Sequence, residues 1–233
     1  MINLGELHFN IDVPCLSKQE LEAYSSKLFD DLDDYLTANF SLSDYSILIE
    51  VEDGSIKGKT KLGALLTVLY FGVAQYGSFI GAVQTITKQV KGAGDYLTTQ
   101  INSKYALDNV RVKTSNYRGQ LGQIESLFNK VKSNKISVEV AMEKAEAILG
   151  EEVLSSPEFV RDLNTALKNI PKDGEQLNFD QEDFLTSNNE ENKPDKPKPS
   201  RESRPAPDPI LHNRVEIWRE SKKGKKQIRV TQI

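Results

Sequence analysis

Between Arg214 and Ile233, seven basic residues stand against Glu216 and Glu220, in a chain whose net charge is −4. Three chemistries suit such a patch. It can attract anionic lipid head groups at about 1 kcal/mol per basic residue near the surface. It can contact nucleic-acid phosphates, with Trp218 as a stacking platform. Or it can be the turn of an edge hairpin whose lysines discourage aggregation. The side chains concerned are Arg219, Lys222, Lys223, Lys225, Lys226 and Arg229. Val215 and Ile217 alternate with Glu216 and Trp218, and Ile228 and Val230 with Arg229 and Thr231. That alternation favours a hairpin that docks by strand addition, on the N-terminal sheet or on a protein partner, with its turn lysines in solvent. Mild overall acidity gives no general pull toward nucleic acid, and nucleic-acid binding is not expected.

The second candidate lies in "KLGALLTVLYFGVAQYGSFIGAVQTITK", Lys61 to Lys88. From Leu62 to Ile86 no residue is charged. As one helix rising 1.5 Å per residue, the run reaches the ~30 Å of a hydrocarbon core. Gly63, Thr67, Ala74, Ser78, Gly81 and Thr85 fall near one face, with Gly77-x-x-x-Gly81 beside them. Leu62, Leu65, Leu69, Val73, Tyr76, Ile80 and Val83 cover the other. Small residues in that pattern let helices approach closely in lipid, where packing drives association. Tyr70, Gln75 and Tyr76 in mid-run count against a span. The rival is a helix at the centre of the protein's own core.

The remaining constellations are weaker. Asp30, Asp31, Asp33 and Asp34 lack the spacing and the glycine of a calcium loop, and read as the solvated face of an amphipathic helix. His8, His212 and the single cysteine, Cys15, show no triad order. "KGAGD" lacks the ending of a phosphate loop. No enzyme, cofactor or metal site is expected.

These residues need elements to position them. "LHFNIDV" alternates as a half-buried strand, and Pro14 ends it. Ser17 and Glu20 form a capping box for a helix to about Ala38. "YSILIEV" and "SIKGKTK" are strands joined at Asp53-Gly54. A module of strand, helix, strand, strand is therefore expected over 1–61, and a hydrophobic helix over 62–88. Residues 89–114 read as a connector and 115–171 as a helical bundle, in which Ser137 caps one helix, Gly150 stops it and Ser156-Pro157 starts the next. Residues 172–209 hold six of the nine prolines and read as a disordered tether, which leaves 210–233 for the basic hairpin.

The expected fold class is α+β. One cysteine leaves no intrachain disulfide and fits a reducing compartment. "MINLGELHFNIDVP" reads as a strand and not as a signal peptide. The resulting expectation is a non-enzymatic, membrane-associated homo-oligomer with a cytoplasmic N-terminus. It would assemble through the glycine-rich helix, up to the point of perturbing or permeabilising a membrane. The alternative is a soluble, cytoplasmic interaction or regulatory protein with a buried central helix and a basic tail that binds a protein partner or, less expected, nucleic acid.

Overall fold

A computed structural model describes residues 1–11, 16–53, 56–74, 78–105, 112–171 and 212–233, with backbone alone at 71, 72, 74, 104 and 105. Cys15, Gly54, Gln75, Tyr76, Gly77 and the proline-rich segment expected at 172–209 lie outside the described residues.

The first strand, β1 (Ile2–Ile11), buries Ile2, Leu4, Leu7, Phe9 and Ile11. Leu4 and Leu7 both point inward although they are three positions apart, because the register with its neighbour shifts between Asn3 and Gly5. Helix α1 (Lys18–Asn39) starts as its sequence dictates: the Ser17 hydroxyl accepts the Glu20 N–H at 3.3 Å, and the Glu20 carboxylate accepts the Ser17 N–H at 2.9 Å. Hydrogen bonding from Ser17, its side chain first and its backbone N–H second, holds the Glu20 carboxyl below the usual carboxylate range. Leu21, Tyr24, Leu28, Phe29, Leu32 and Leu36 form its buried stripe. Strands β2 (Ser46–Glu52) and β3 (Ile56–Ala64) follow as an antiparallel pair, and β3 also pairs with β1.

Next come α2 (Leu66–Ala74), α3 (Phe79–Tyr105), β4 (Val112–Arg118), α4 (Gln120–Lys132) and α5 (Val138–Leu149), then a 3₁₀ stretch, α6 (Pro157–Lys168), β5 (Asn213–Arg219) and β6 (Gln227–Gln232). The six strands make one antiparallel sheet in the order β4-β1-β3-β2-β5-β6, so the fold is mixed α+β. In β2, Ile47, Ile49 and Val51 are buried while Leu48, Glu50 and Glu52 are only half-buried. One face is therefore covered by α1, α3 and α4, and the other is polar. On the polar face Glu6 meets His8 at 3.0 Å and Lys59 at 3.2 Å.

The uncharged run does not form one helix. Lys61–Ala64 continues β3, with Ile2 opposite Ala64 and Ser46 opposite Gly63. A short apolar run without charge suits a buried strand as well as a helix, and here two neighbouring strands supply its backbone hydrogen bonds. Leu65 breaks the chain direction, and α2 lasts nine residues, which at 1.5 Å each gives about 13 Å, less than half of a bilayer core. Ser78 starts a new helix, its hydroxyl accepting the Gly81 N–H at 3.4 Å. Among the described residues, no helix is long and apolar enough to cross a membrane.

Of the bulky flank, Leu62, Leu69, Val73 and Val83 are buried within this chain and Ile80 is half-buried, while Tyr76 lies outside the described residues; Leu66, Ala82 and Ile86 of the same run are buried too. Phe79 packs on Phe128 of α4 and Phe159 of α6, with centroids 6.0 and 5.0 Å apart, and Tyr70 donates to Asp162 of α6 at 3.1 Å. Leu65 stays exposed.

In the stretch expected as a connector, α3 runs on to Tyr105, residues 106–111 lie outside the described residues, and residues 112–118, whose last part falls at the start of the expected bundle, form β4 on the edge of the sheet beside β1. β4 is polar and mostly exposed, so it lacks the apolar alternation that marks a strand. Beyond it, Ser137 caps α5, Gly150 ends α5 with φ +58°, and Pro157 opens α6.

Candidate functional site

The residues expected to drive helix association are dispersed. Gly63 sits in β3, where a Cβ would come within 2.7 Å of the Ser46 hydroxyl. Thr67 is half-buried in α2, and Ala74 ends that helix. Gly77 lies outside the described residues. Ser78 caps α3, and Thr85 donates back to the Gly81 carbonyl at 2.8 Å. Among the described residues, a Cβ on Gly81 would meet only Ser78, at an ordinary 3.6 Å. The common face these residues would share on a continuous helix does not form.

The basic residues, by contrast, converge on one seat. β5 adds to the free side of β2, with Ile47 opposite Arg219, Ile49 opposite Ile217, Val51 opposite Val215 and Glu52 opposite Arg214. Val215 and Ile217 are fully buried, which stabilises the docked hairpin by about 1.5–3 kcal/mol for each side chain. Alternation then turns Arg219 toward α1. It is 8 % exposed. Both of its terminal nitrogens donate to the Asp33 carboxylate, Nη1 at 2.6 Å to Oδ2 and Nη2 to Oδ1. Its guanidinium carbon lies 5.9 Å from the Phe29 ring centre and 5.7 Å from that of Tyr45. A planar fork between carboxylate and aromatic faces is a site for arginine that lysine cannot fill.

Tyr45 closes this corner. Its hydroxyl lies 3.3 Å from Asp33 Oδ1 and 3.2 Å from the Thr37 hydroxyl. Burial pushes the phenol above its ordinary value, and the neighbouring Asp33 carboxylate adds to the effect.

The hairpin turn is held by α1 and the segment before β2. Lys226 donates to Asp30 at 2.6 Å and to the Ser26 hydroxyl at 2.7 Å, and lies 5.4 Å from the Phe29 ring centre. Asp44 accepts the backbone N–H groups of Tyr45 at 2.9 Å and Lys222 at 2.6 Å. At the far end Arg214 Nε donates to Glu52 at 2.8 Å, and that carboxylate raises the arginine's already high pKa. Arg229 lies over Trp218, 5.3 Å from the ring centre, and 3.6 Å from Glu216. Lys223 and Lys225 are exposed at the turn.

Two expectations change here. The acidic run is not merely a solvated face, because Asp30 and Asp33 receive Lys226 and Arg219. The basic patch is not wholly a free surface either: Arg219, Lys222 and Lys226 face inward, and Arg219 is held in a nearly buried ion pair. Sequence reasoning missed Asp33, Asp30, Ser26, Asp44 and Tyr45 as the seat. The readable signal was complementarity, since Ser26, Asp30 and Asp33 recur at helical spacing and match the sign of the tail.

The two histidines stand apart. His8 touches Glu6 and Tyr117 on the polar side of β1, while His212 Nδ1 lies 3.6 Å from Asp53. Among the described residues, no group of three or more His, Cys, Asp or Glu could hold a metal ion. What the seat offers is backbone pairing and charge pairing, the chemistry of association. No protein-family model, curated protein or solved structure matches this chain.

Proposed function

We propose that this chain is a non-enzymatic interaction protein whose C-terminal hairpin is its docking element. The hairpin seats on the β2 edge of its own sheet or on that of a second copy, and exchange between the two builds a homo-oligomer. The observation that carries this reading is the make-up of the seat: two apolar side chains, Val215 and Ile217, ringed by five charged or polar attachments. Contacts of that kind form and break without rebuilding a core. Residues 169–212 separate the hairpin from α6, so the hairpin is joined to the rest of the fold by a long stretch of chain. Swapping of a terminal element between identical copies is a low-cost route to assembly.

The reading of 62–86 as a lipid-spanning helix rests on one long uncharged helix with a small-residue face, whereas the described part of that run is the end of a strand and two helices, with Leu62, Leu69, Val73 and Val83 buried in this chain.

Charge reversal tests the exchange. Asp33→Arg places two cations together in each copy, and Arg219→Asp places two anions together; neither can rebuild the pair within itself. Mixed, one copy's Arg219 meets the other's Asp33, and the reversed pair forms at the second seat. The expected result is that each variant alone fails to assemble, while an equimolar mixture elutes as a 1:1 complex by light-scattering chromatography. Two variants that stay separate at all mixing ratios would refute exchange between copies.

A further inference from the structure

A cavity of about 360 Å³ lies between the inner face of the sheet and helices α3 and α4. That is within the size range of small-molecule sites. Leu7, Leu32, Leu62 and Leu97 make its apolar wall. Thr60 also lines it; this side chain is 2 % exposed, and its hydroxyl has no hydrogen-bond partner among the described residues. Gly5 lets Val90 of α3 pack close on β1 at the cavity wall, since a Cβ there would come within 2.6 Å of the Val90 side chain.

The open side is cationic. Lys88, Lys91 and Arg118 line the cavity and are exposed, and none makes an ion pair with another described residue. Gly122 lets the Arg118 stem lie against α4, since a Cβ there would be 3.0 Å from Arg118 Cβ. Two carboxylates also line the cavity. Glu6 is already engaged by Asn3, His8 and Lys59, which leaves Glu125 alone against three cations.

We infer that this cavity binds a small amphipathic carboxylate, with an apolar body against the leucine wall and an anionic head among Lys88, Lys91 and Arg118. Exposed cations beside an apolar pocket, unpaired among the described residues, favour that ligand over a neutral or cationic one of the same length. The inference is independent of the hairpin seat, which lies across the sheet on the β2 side.

Calorimetric titration with decanoate, decanol and decylammonium tests it on the full chain. Decanoate is expected to bind with a Kd of about 0.3 mM, which is about 0.4 kcal/mol for each of its twelve heavy atoms, and more tightly than the other two. The variant Lys88→Gln/Lys91→Gln/Arg118→Gln changes only exposed side chains. It should weaken decanoate about tenfold and leave decanol unchanged. Val90→Phe, which adds a ring to the cavity wall, should remove binding of both. Equal affinity for the three probes, an unaltered decanoate affinity in the triple variant, or no decanoate binding at 5 mM (about fifteen times the expected Kd) would each overturn the inference.

Discussion

Separability of the hairpin rests on the Arg219–Asp33 pair, and a double-mutant cycle on these two residues measures it. At an effective dielectric of about 20, opposite charges about 4 Å apart attract by about 4 kcal/mol. Desolvation returns part of that. The arginine side chain is 10 % exposed and the aspartate 23 %, so the pair falls between an exposed ion pair, about 0.2–1 kcal/mol, and the breaking of a buried one, about 3–5 kcal/mol. A coupling energy of about 2 kcal/mol is expected, and Arg219→Ala alone should cost at least that much, because Asp33 is left facing Tyr45. Native-state hydrogen exchange resolved by peptide is the assay. Protection over 213–232 should fall about thirtyfold in Arg219→Ala, while β1 and β3 keep theirs. If all strands lose protection together, the hairpin is an inseparable part of the fold and the docking-element reading fails. A coupling energy below about 0.5 kcal/mol would show that the bidentate geometry contributes no more than a surface pair.

Three further predictions concern the sheet and the run after it. The Glu6 carboxyl is subject to burial, which would raise its pKa, but bonds from His8, Lys59 and Asn3 outweigh burial and hold it below 4.5. A carboxyl depressed in the folded state contributes stability above its unfolded pKa and loses it as pH falls through the folded one. Glu6→Gln should therefore flatten the fall in urea midpoint below about pH 4.5, and an unchanged pH profile would rule the carboxyl out as a source of acid sensitivity. Glycine substitutions sort close approach from open space. A Cβ on Gly58 would lie 1.9 Å from Phe9 Cζ, so Gly58→Ala should cost about 1–3 kcal/mol by overpacking. Gly81→Ala meets only ordinary contact and should stabilise by about 0.5–1 kcal/mol, read from chemical denaturation.

Local chemistry was legible wherever one residue type decides a backbone outcome. Ser17 with Glu20, Ser137, Gly150 and Pro157 mark helix ends in the sequence and do so in the structure. The alternation of β1, β2 and β5 was equally plain, because each buries one side, whereas in β6 Ile228 is exposed and Val230 half-buried. What escaped depended on contacts far along the chain. Residues 62–64 look like helix until β1 and β2 are known to flank them. β4 is defined by hydrogen bonds to β1 and not by its own side chains. Asp33 reads as a solvent-facing acid until Arg219, 186 positions away, is brought to it. The small-residue pattern was real as a pattern and misleading as a surface, since a strand, a break and two helices divide it.

The pairing of β2 with β5 also sets an order of events. Arg214 and Glu52 are 162 positions apart, and at about 5–20 residues per second a ribosome takes roughly 10–30 s to make the intervening chain. Throughout that interval the nascent polypeptide carries an uncovered seven-residue strand edge beside an acidic helix. Such an edge is a template for any extended segment that reaches it first. On a polysome, where identical chains grow side by side, the first hairpin to emerge competes for every vacant edge nearby.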